Sequence, residues 1–90
     1  MDLKEIRENL DRIDQSLVTI LAERMSFIPK VAEYKKAKGV ARFQPEREKQ
    51  IIESKRKLAE EHGLNPDLVE DLFKRIIKDA HRIEKGIIGE

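Results

Sequence analysis

Several charged side chains in this sequence fall on helix faces that are otherwise apolar. Arg24 is the first of them. The three-and-four spacing that runs through Leu17 and Ile20 calls for another aliphatic residue at its position. A charge is costly to bury unless it has a partner, and the guanidinium fork suits a carboxylate. Arg24 therefore indicates a site for an anion on the apolar stripe.

Other charged side chains share this placement on the predicted second and third helices and further along the first: Lys35, Arg47, Glu48 and Glu84. Lys35 follows Arg24 by eleven residues, about three turns, so both lie on one helix face. Each could be a snorkelling side chain or a member of a structural ion pair. Taken together, the cations and acids suit a small molecule that carries two negative charges.

Arg7 presents a different case because it flanks the stripe between Ile6 and Leu10. It precedes Arg24 by ~25 Å along a straight helix, so it cannot serve the same site from the same chain. An antiparallel second copy of the helix could bring it there. The alternative is an exposed arginine that pairs with Asp11, four residues later.

The element that positions most of these residues is a long amphipathic helix from Leu3 to about Lys38. Its apolar residues recur in alternating steps of three and four, at Leu3, Ile6, Leu10, Ile13, Leu17 and Ile20. Such a helix would be ~50 Å long, against ~26 Å for a compact domain of this length. One copy cannot wrap it, so we expect a second copy to cover the rest. Pro29 predicts a kink rather than an end, because the apolar pattern keeps its phase beyond it.

Two shorter helices follow the long one. Pro45 is placed to begin the second helix at its first position, and Gly63 to end it. Asn65 is placed to cap a third helix. No stretch has the alternation of a strand. The prediction is an all-α fold of three helices, the first much the longest, in a single domain over residues 1–90.

Composition excludes several classes of function. The net charge is +1 although 41% of the residues are charged, and no basic tract supports nucleic-acid binding. There is no Cys, so thiolate metal sites are excluded. No apolar run is long enough to span a membrane, which makes a cytoplasmic protein the default expectation. His62 and His81 have no metal-ligand spacing, and both are predicted to have structural or surface roles.

At this point the sequence resembles a known family. The run LKEIRENLDRIDQSLVTILAERMSFIPKVAEYKK, followed by PEREKQIIE, is similar to the all-helical class of chorismate mutases over about Leu3 to Ile87. The shared motifs are R-x6-D near the start, L-A-E-R, a Lys eleven residues after that Arg, and R-E at the start of the second helix. The resemblance implies an intertwined homodimer that converts chorismate to prephenate, towards phenylalanine and tyrosine, without cofactor or metal.

The resemblance also implies roles for the charged residues. One chain would supply Arg24, Lys35, Arg47, Glu48 and Glu84, and the second chain would supply Arg7. In the family, the arginines hold the two substrate carboxylates. The residues matching Lys35 and Glu84 face the ether oxygen, and the one matching Glu48 faces the ring hydroxyl.

The sequence departs from the family pattern at three positions. Gln44 stands where many members have Asp, and Ala80 stands where some have a Ser that contacts substrate. Glu84 stands where bacterial members often have Gln, although some members carry Glu. Because an ionised carboxylate cannot donate a hydrogen bond, Glu84 should work protonated. We therefore expect kcat/KM to fall as pH rises towards neutrality and beyond.

The apolar stripe alone supports a rival reading equally well, a dimerisation or adaptor module without enzymatic activity. Arg24 discriminates the two, since a packing module gains nothing from a charge there. Arg24→Leu should stabilise an adaptor and abolish turnover in an enzyme. A small nucleic-acid-binding dimer is disfavoured by the balanced charge.

Overall fold

The computed structural model describes all residues from 1 to 90 and contains helices but no strand. The helices are α1 Leu3–Ser26, α2 Ile28–Lys38, α3 Pro45–Glu61 and α4 Pro66–Ile88. The all-α prediction is confirmed. The predicted first helix corresponds to α1 and α2 in succession, separated only by Phe27. Its length is confirmed as well, since the longest dimension of the molecule is 55 Å.

The junction between α1 and α2 is a local defect in one rod. Phe27 keeps a right-handed helical conformation, with φ −83° and ψ −16°. Its backbone N–H donates to the carbonyl of Arg24 at 3.2 Å, and the regular spacing resumes when Val31 donates to Phe27 at 3.1 Å. Pro29 has no N–H to donate to Met25. Where the sequence predicted a kink at Pro29, the structure has α1 end at Ser26 and α2 begin at Ile28, with Phe27 between them.

The helix boundaries follow local signals in the sequence. Asp2 caps α1 by accepting from the backbone N–H of Glu5 at 2.8 Å. Asn65 caps α4 by accepting from Asp67 at 2.9 Å. Gly39 follows α2 with φ 65°, a left-handed conformation that favours glycine. The starts of α1 and α4 and the end of α2 therefore lie where the sequence predicts them.

Helix α4 packs against both α2 and α3, and these contacts form the core of the single chain. The buried residues are Ala32 on α2, Ala59 on α3, and Ala80 and Glu84 on α4. Small side chains let helix backbones approach closely, but they bury little apolar area. No large side chain is fully buried.

Helix α1 has no buried residue, and its apolar stripe faces outward. The exposed stripe consists of Leu3, Ile6, Leu10, Ile13, Leu17 and Ile20. A continuous apolar stripe of this length marks an interaction surface. The intertwined homodimer stays a prediction that accords with this exposure. None of the helices has the length and apolar character needed to cross a membrane.

Candidate active site

A cavity of about 220 Å³ lies where the rod of α1 and α2 meets the start of α3 and the later turns of α4. Its lining includes every residue that the sequence assigned to one chain: Arg24, Lys35, Arg47, Glu48 and Glu84. Each of the helices contributes to the wall. The structure therefore brings together side chains that lie up to sixty residues apart in the sequence.

Local structure explains how these side chains reach one cavity. Arg24 and Lys35 remain on one face of the rod because its backbone stays helical through Phe27. Pro45 begins α3 and places Arg47 and Glu48 in its first turn. The amide of Glu48 completes that turn by donating to the Gln44 carbonyl at 3.1 Å.

Arg24 carries an unsatisfied hydrogen-bond donor. Its NH1 atom is buried, and it is the one buried side-chain nitrogen or oxygen in the chain without a hydrogen-bond partner. Its guanidinium carbon lies 5.9 Å from the centroid of the Phe73 ring, a cation–π contact. That contact does not replace a hydrogen bond, and an unmet buried donor costs about 1–3 kcal/mol. A carboxylate oxygen in the cavity would satisfy it.

Lys35 and Glu84 form a shielded ion pair in the cavity lining. The Lys35 ammonium donates to Glu84 Oε1 at 2.8 Å and to the carbonyl of Arg42 at 2.6 Å. The Glu84 side chain is 7% exposed and that of Lys35 is 14% exposed. These bonds fix the ammonium before a ligand arrives. They also mean that a ligand has to share Lys35 with Glu84.

The two remaining arginines differ in their positions. Arg47 is exposed and lines the cavity, and its NH1 donates to Gln50 Oε1 at 2.8 Å. Arg7 is exposed near the far end of α1 and does not line the cavity of its own chain. That separation agrees with the distance argument from the sequence, by which Arg7 cannot serve the site of its own chain. A role for Arg7 in the site of a second copy stays a prediction.

Two cavity residues were missed by sequence reasoning. His81, which was assigned a structural or surface role, bonds through Nε2 to Glu48 Oε2 at 2.7 Å. Arg42, which had no assigned role, contacts His81 Nδ1 through NH1 at 2.5 Å. His81 precedes Glu84 by three residues, and that helical spacing could have revealed it. Arg42 lies in the loop between α2 and α3, where no periodic pattern marks which side chains face a site.

Gln44 and Ala80, which differ from the residues common in the family that the sequence resembles, also line the cavity. Gln44 turns its amide to the Ala41 carbonyl, to which it donates at 2.8 Å. Ala80 is buried and offers no polar group. No group of His, Cys, Asp or Glu side chains has an arrangement that could hold a metal ion.

The charges of the cavity define what it can bind. Cationic side chains from α1, α2, the following loop and α3 face two carboxylates, and the buried guanidinium nitrogen of Arg24 remains free. The Lys35 charge is matched by Glu84. The arrangement therefore fits a small anion that contacts Arg24 and Arg47. What it can supply chemically is orientation and charge stabilisation.

Comparison with known proteins identifies what the chain is similar to. Residues 6–85 match the family described as chorismate mutase type II. A chorismate mutase of Methanocaldococcus jannaschii is 35% identical over 88 residues, which cover 98% of this chain and 89% of that protein. An isochorismate pyruvate lyase of Pseudomonas aeruginosa is 41% identical over 75 residues, covering 83% and 73%.

Longer proteins match as well. A T-protein of Enterobacter agglomerans is 35% identical over 83 residues, which are 92% of this chain and 22% of that protein. The chain thus spans about a fifth of the length of the T-proteins that it matches.

Proposed function

This chain belongs to the type II chorismate mutase family, and we propose on that basis that it converts chorismate to prephenate, a step towards phenylalanine and tyrosine. The observation that carries the proposal is the buried NH1 of Arg24, which lacks a partner in a cavity lined by Lys35 and Arg47. Chorismate is a dicarboxylate, and a carboxylate oxygen is the partner that a buried guanidinium requires.

The arginines act by holding the substrate in a reactive shape. The reaction is an intramolecular Claisen-type rearrangement, in which the enolpyruvyl carbon must lie over the ring. Arg24 and Arg47, with Arg7 of the partner subunit, clamp the two carboxylates and so favour the compact diaxial conformer. Fixing such a near-attack geometry removes an entropic part of the barrier.

Lys35 stabilises the charge that develops during the reaction. Negative charge grows on the ether oxygen as its C–O bond breaks. The Lys35 ammonium is already held by Glu84 and by the carbonyl of Arg42, so little reorganisation is needed. Removing one preorganised donor of this kind typically costs about 2.7–4 kcal/mol of barrier.

Glu84 supports the same oxygen if it carries a proton. Its Oε1 is bonded to Lys35, and a proton on Oε2 could be donated towards the ether oxygen. An ionised Glu84 would instead repel the growing charge. We therefore expect kcat/KM to fall as pH rises, because only the carboxylic acid can donate this hydrogen bond.

A homodimer completes the site in this proposal. The exposed stripe of α1 gives an antiparallel second copy an apolar surface to cover. The same arrangement carries Arg7 of one chain to the cavity of the other, because the two ends of α1 exchange places. Dimerisation and catalysis therefore depend on one helix.

The test is chorismate consumption, followed by ultraviolet absorbance with purified protein and no added cofactor. Wild type should form prephenate rapidly, and Arg24→Ala should lose nearly all of that turnover. Arg75→Ala is the matched control, because Arg75 is an exposed arginine of α4 outside the cavity. A folded wild-type protein that leaves chorismate unchanged from pH 5 to 8 would contradict the proposal.

The same purified proteins also test two other functions, an isochorismate pyruvate lyase and an adaptor without enzymatic activity. The match to an isochorismate pyruvate lyase makes release of pyruvate from isochorismate the second candidate, so isochorismate is supplied in parallel and pyruvate is measured. An adaptor dimer would consume neither compound, and Arg24→Leu would make it more stable. The mutase is preferred because the M. jannaschii chorismate mutase matches nearly the whole of both chains.

A further inference from the structure

A chain of polar contacts in the cavity lining joins the loop after α2 to α3 and α4. Arg42 NH1 contacts His81 Nδ1 at 2.5 Å, and His81 Nε2 contacts Glu48 Oε2 at 2.7 Å. Arg42 is held from its other side by Glu90, at 2.5 Å from Nε. The His81 ring also packs at a tilt against Phe43, with centroids 6.1 Å apart. His81 is therefore fixed in both position and orientation.

These contacts determine which ring nitrogen of His81 carries the proton. A guanidinium has only donors, so Arg42 must donate to Nδ1, which accepts with its lone pair. A neutral imidazole has one donor and one acceptor, so the proton is on Nε2. His81 thus donates to Glu48 Oε2.

This bond restricts what Glu48 can offer to a ligand. Its Oε2 is occupied by His81, whereas no protein group donates to Oε1. The Glu48 side chain is 27% exposed and lines the cavity. Glu48 therefore presents one acceptor in a fixed direction, and the group that complements it is a single hydrogen-bond donor such as a hydroxyl.

We propose that His81 is a positioning residue for Glu48, and that His81 and Arg42 together make the site select a ring hydroxyl over a ring amine. The proposal rests on the proposed function, in which Glu48 faces the ring hydroxyl of chorismate. A primary amine is protonated near neutral pH, so the Arg42 cation behind the imidazole, although paired with Glu90, repels it and offsets part of its attraction to the Glu48 carboxylate. A neutral hydroxyl has no charge for Arg42 to repel.

The experiment compares kcat/KM for chorismate and for 4-amino-4-deoxychorismate, in which an amine replaces the ring hydroxyl. His81→Leu should lower kcat/KM for chorismate by ~10-fold, the effect of losing a hydrogen bond to a charged group. It should also reduce the preference for chorismate by a similar factor. His81→Gln should recover most of both, because its amide nitrogen can replace Nε2 as the donor.

Charge is tested separately from hydrogen bonding. Arg42→Met removes the cation and keeps the length of the side chain, and it should raise turnover of the amine relative to chorismate. Lys57→Met removes an exposed cation of α3 that lies outside this cavity and outside the neighbouring one that Arg42, Glu48 and His81 also line. Because Lys57 takes no part in the hydrogen-bond chain, its substitution should leave the preference unchanged.

The outcomes separate this proposal from the proposed function. Wild-type protein inactive on both compounds would overturn both. Wild-type turnover of chorismate, with an unchanged preference in His81→Leu and no gain in His81→Gln, would overturn the role of His81 alone. If His81→Leu does not fold, as judged by circular dichroism, His81→Asn replaces it. Its shorter amide cannot reach Glu48, so it should be less active than His81→Gln, and equal activity would contradict the proposal.

Discussion

Helix α1 differs from the cluster formed by α2, α3 and α4 in how much of its surface the single chain buries. Helix α1 has no buried residue, and large apolar side chains such as Leu17 are 59% exposed. The cluster of α2, α3 and α4 buries alanines at its helix contacts and encloses the ion pair of Lys35 and Glu84. One half is an exposed apolar surface, and the other half encloses a cavity lined by charged side chains. A short chain can therefore form a binding cavity in one region while another of its helices leaves its apolar side chains exposed.

The two arginines of α1 show the same contrast within a single helix. Arg24 stands at the end that meets α4, where its buried NH1 lacks a partner. Arg7 stands at the other end and is exposed. Both carry the same charge, so their roles are set by the region that each occupies. If the proposal is correct, they meet only across two chains.

The largest effect is expected for Arg24 and Arg7, and the experiment tests whether Arg7 of one chain and Arg24 of the other share one site. Arg24→Ala and Arg7→Ala should each lower kcat/KM by about 10²–10³-fold, because each removes a group that holds the substrate. Mixing the two inactive proteins, after unfolding and refolding together, should restore about a quarter of wild-type activity. In a symmetric dimer, half of the molecules are then mixed, and each has one site with both arginines.

The mixing experiment would contradict the proposal if it restored no activity. If Arg7 acted within its own chain, every site in the mixture would lack one arginine, and activity would stay at the level of the single variants. Arg24→Ala mixed with Arg24→Ala serves as the control, since refolding alone must restore nothing.

The next effect concerns the exposed stripe of α1. Leu17→Asp places an unpaired charge on a surface that the proposed dimer buries, so it should destabilise the dimer by about 2 kcal/mol or more. The melting temperature should fall by roughly 10 °C, and sedimentation should show monomers. Val40→Asp is the control, because Val40 is 40% exposed in the loop after α2. Equal effects of the two substitutions would remove the distinction between the two regions.

A smaller effect tests the enclosed region. Glu84→Gln keeps a hydrogen-bond donor at every pH, so it should flatten the fall in kcat/KM that we expect of wild type as pH rises, with both proteins measured from about pH 5 to 8. At low pH the two proteins should differ little, and above neutrality the variant should be the faster. A flat wild-type profile would count against a protonated Glu84.

The sequence predicts local features well and non-local ones poorly. Helix ends were predictable because Asp2 and Asn65 act on neighbouring backbone atoms. Arg24 was predictable as a site residue because a charge interrupts a strict apolar period. Arg42 was not, since its contact with His81 depends on how a loop crosses α4. Apolar residues repeat with the period of a helix, so a charge that interrupts them is visible in the sequence, whereas the loop has no such period.

The smallest expected effect uses a surface ion pair to separate the two regions thermodynamically. Lys74 donates to Glu70, and with a further contribution from Arg56 this holds the pKa of Glu70 below its usual value of 4.5. A lowered pKa in the folded state stabilises the protein above the unfolded pKa, and the contribution is lost as pH falls through the folded value. Glu70→Gln should therefore lower the melting temperature slightly at neutral pH and not at about pH 2.5.

This last shift should also be independent of protein concentration. The contact of Arg56 with Glu70 joins α3 to α4 at 3.1 Å within one chain, so no second copy takes part in it. The loss caused by Leu17→Asp should instead depend on concentration, because it acts through association. Glu53→Gln, an exposed acid of α3 without an ion-pair partner, is the charge-matched control. A concentration-dependent shift for Glu70→Gln would mean that the dimer also covers α3 and α4, and the contrast between the two halves would then be wrong.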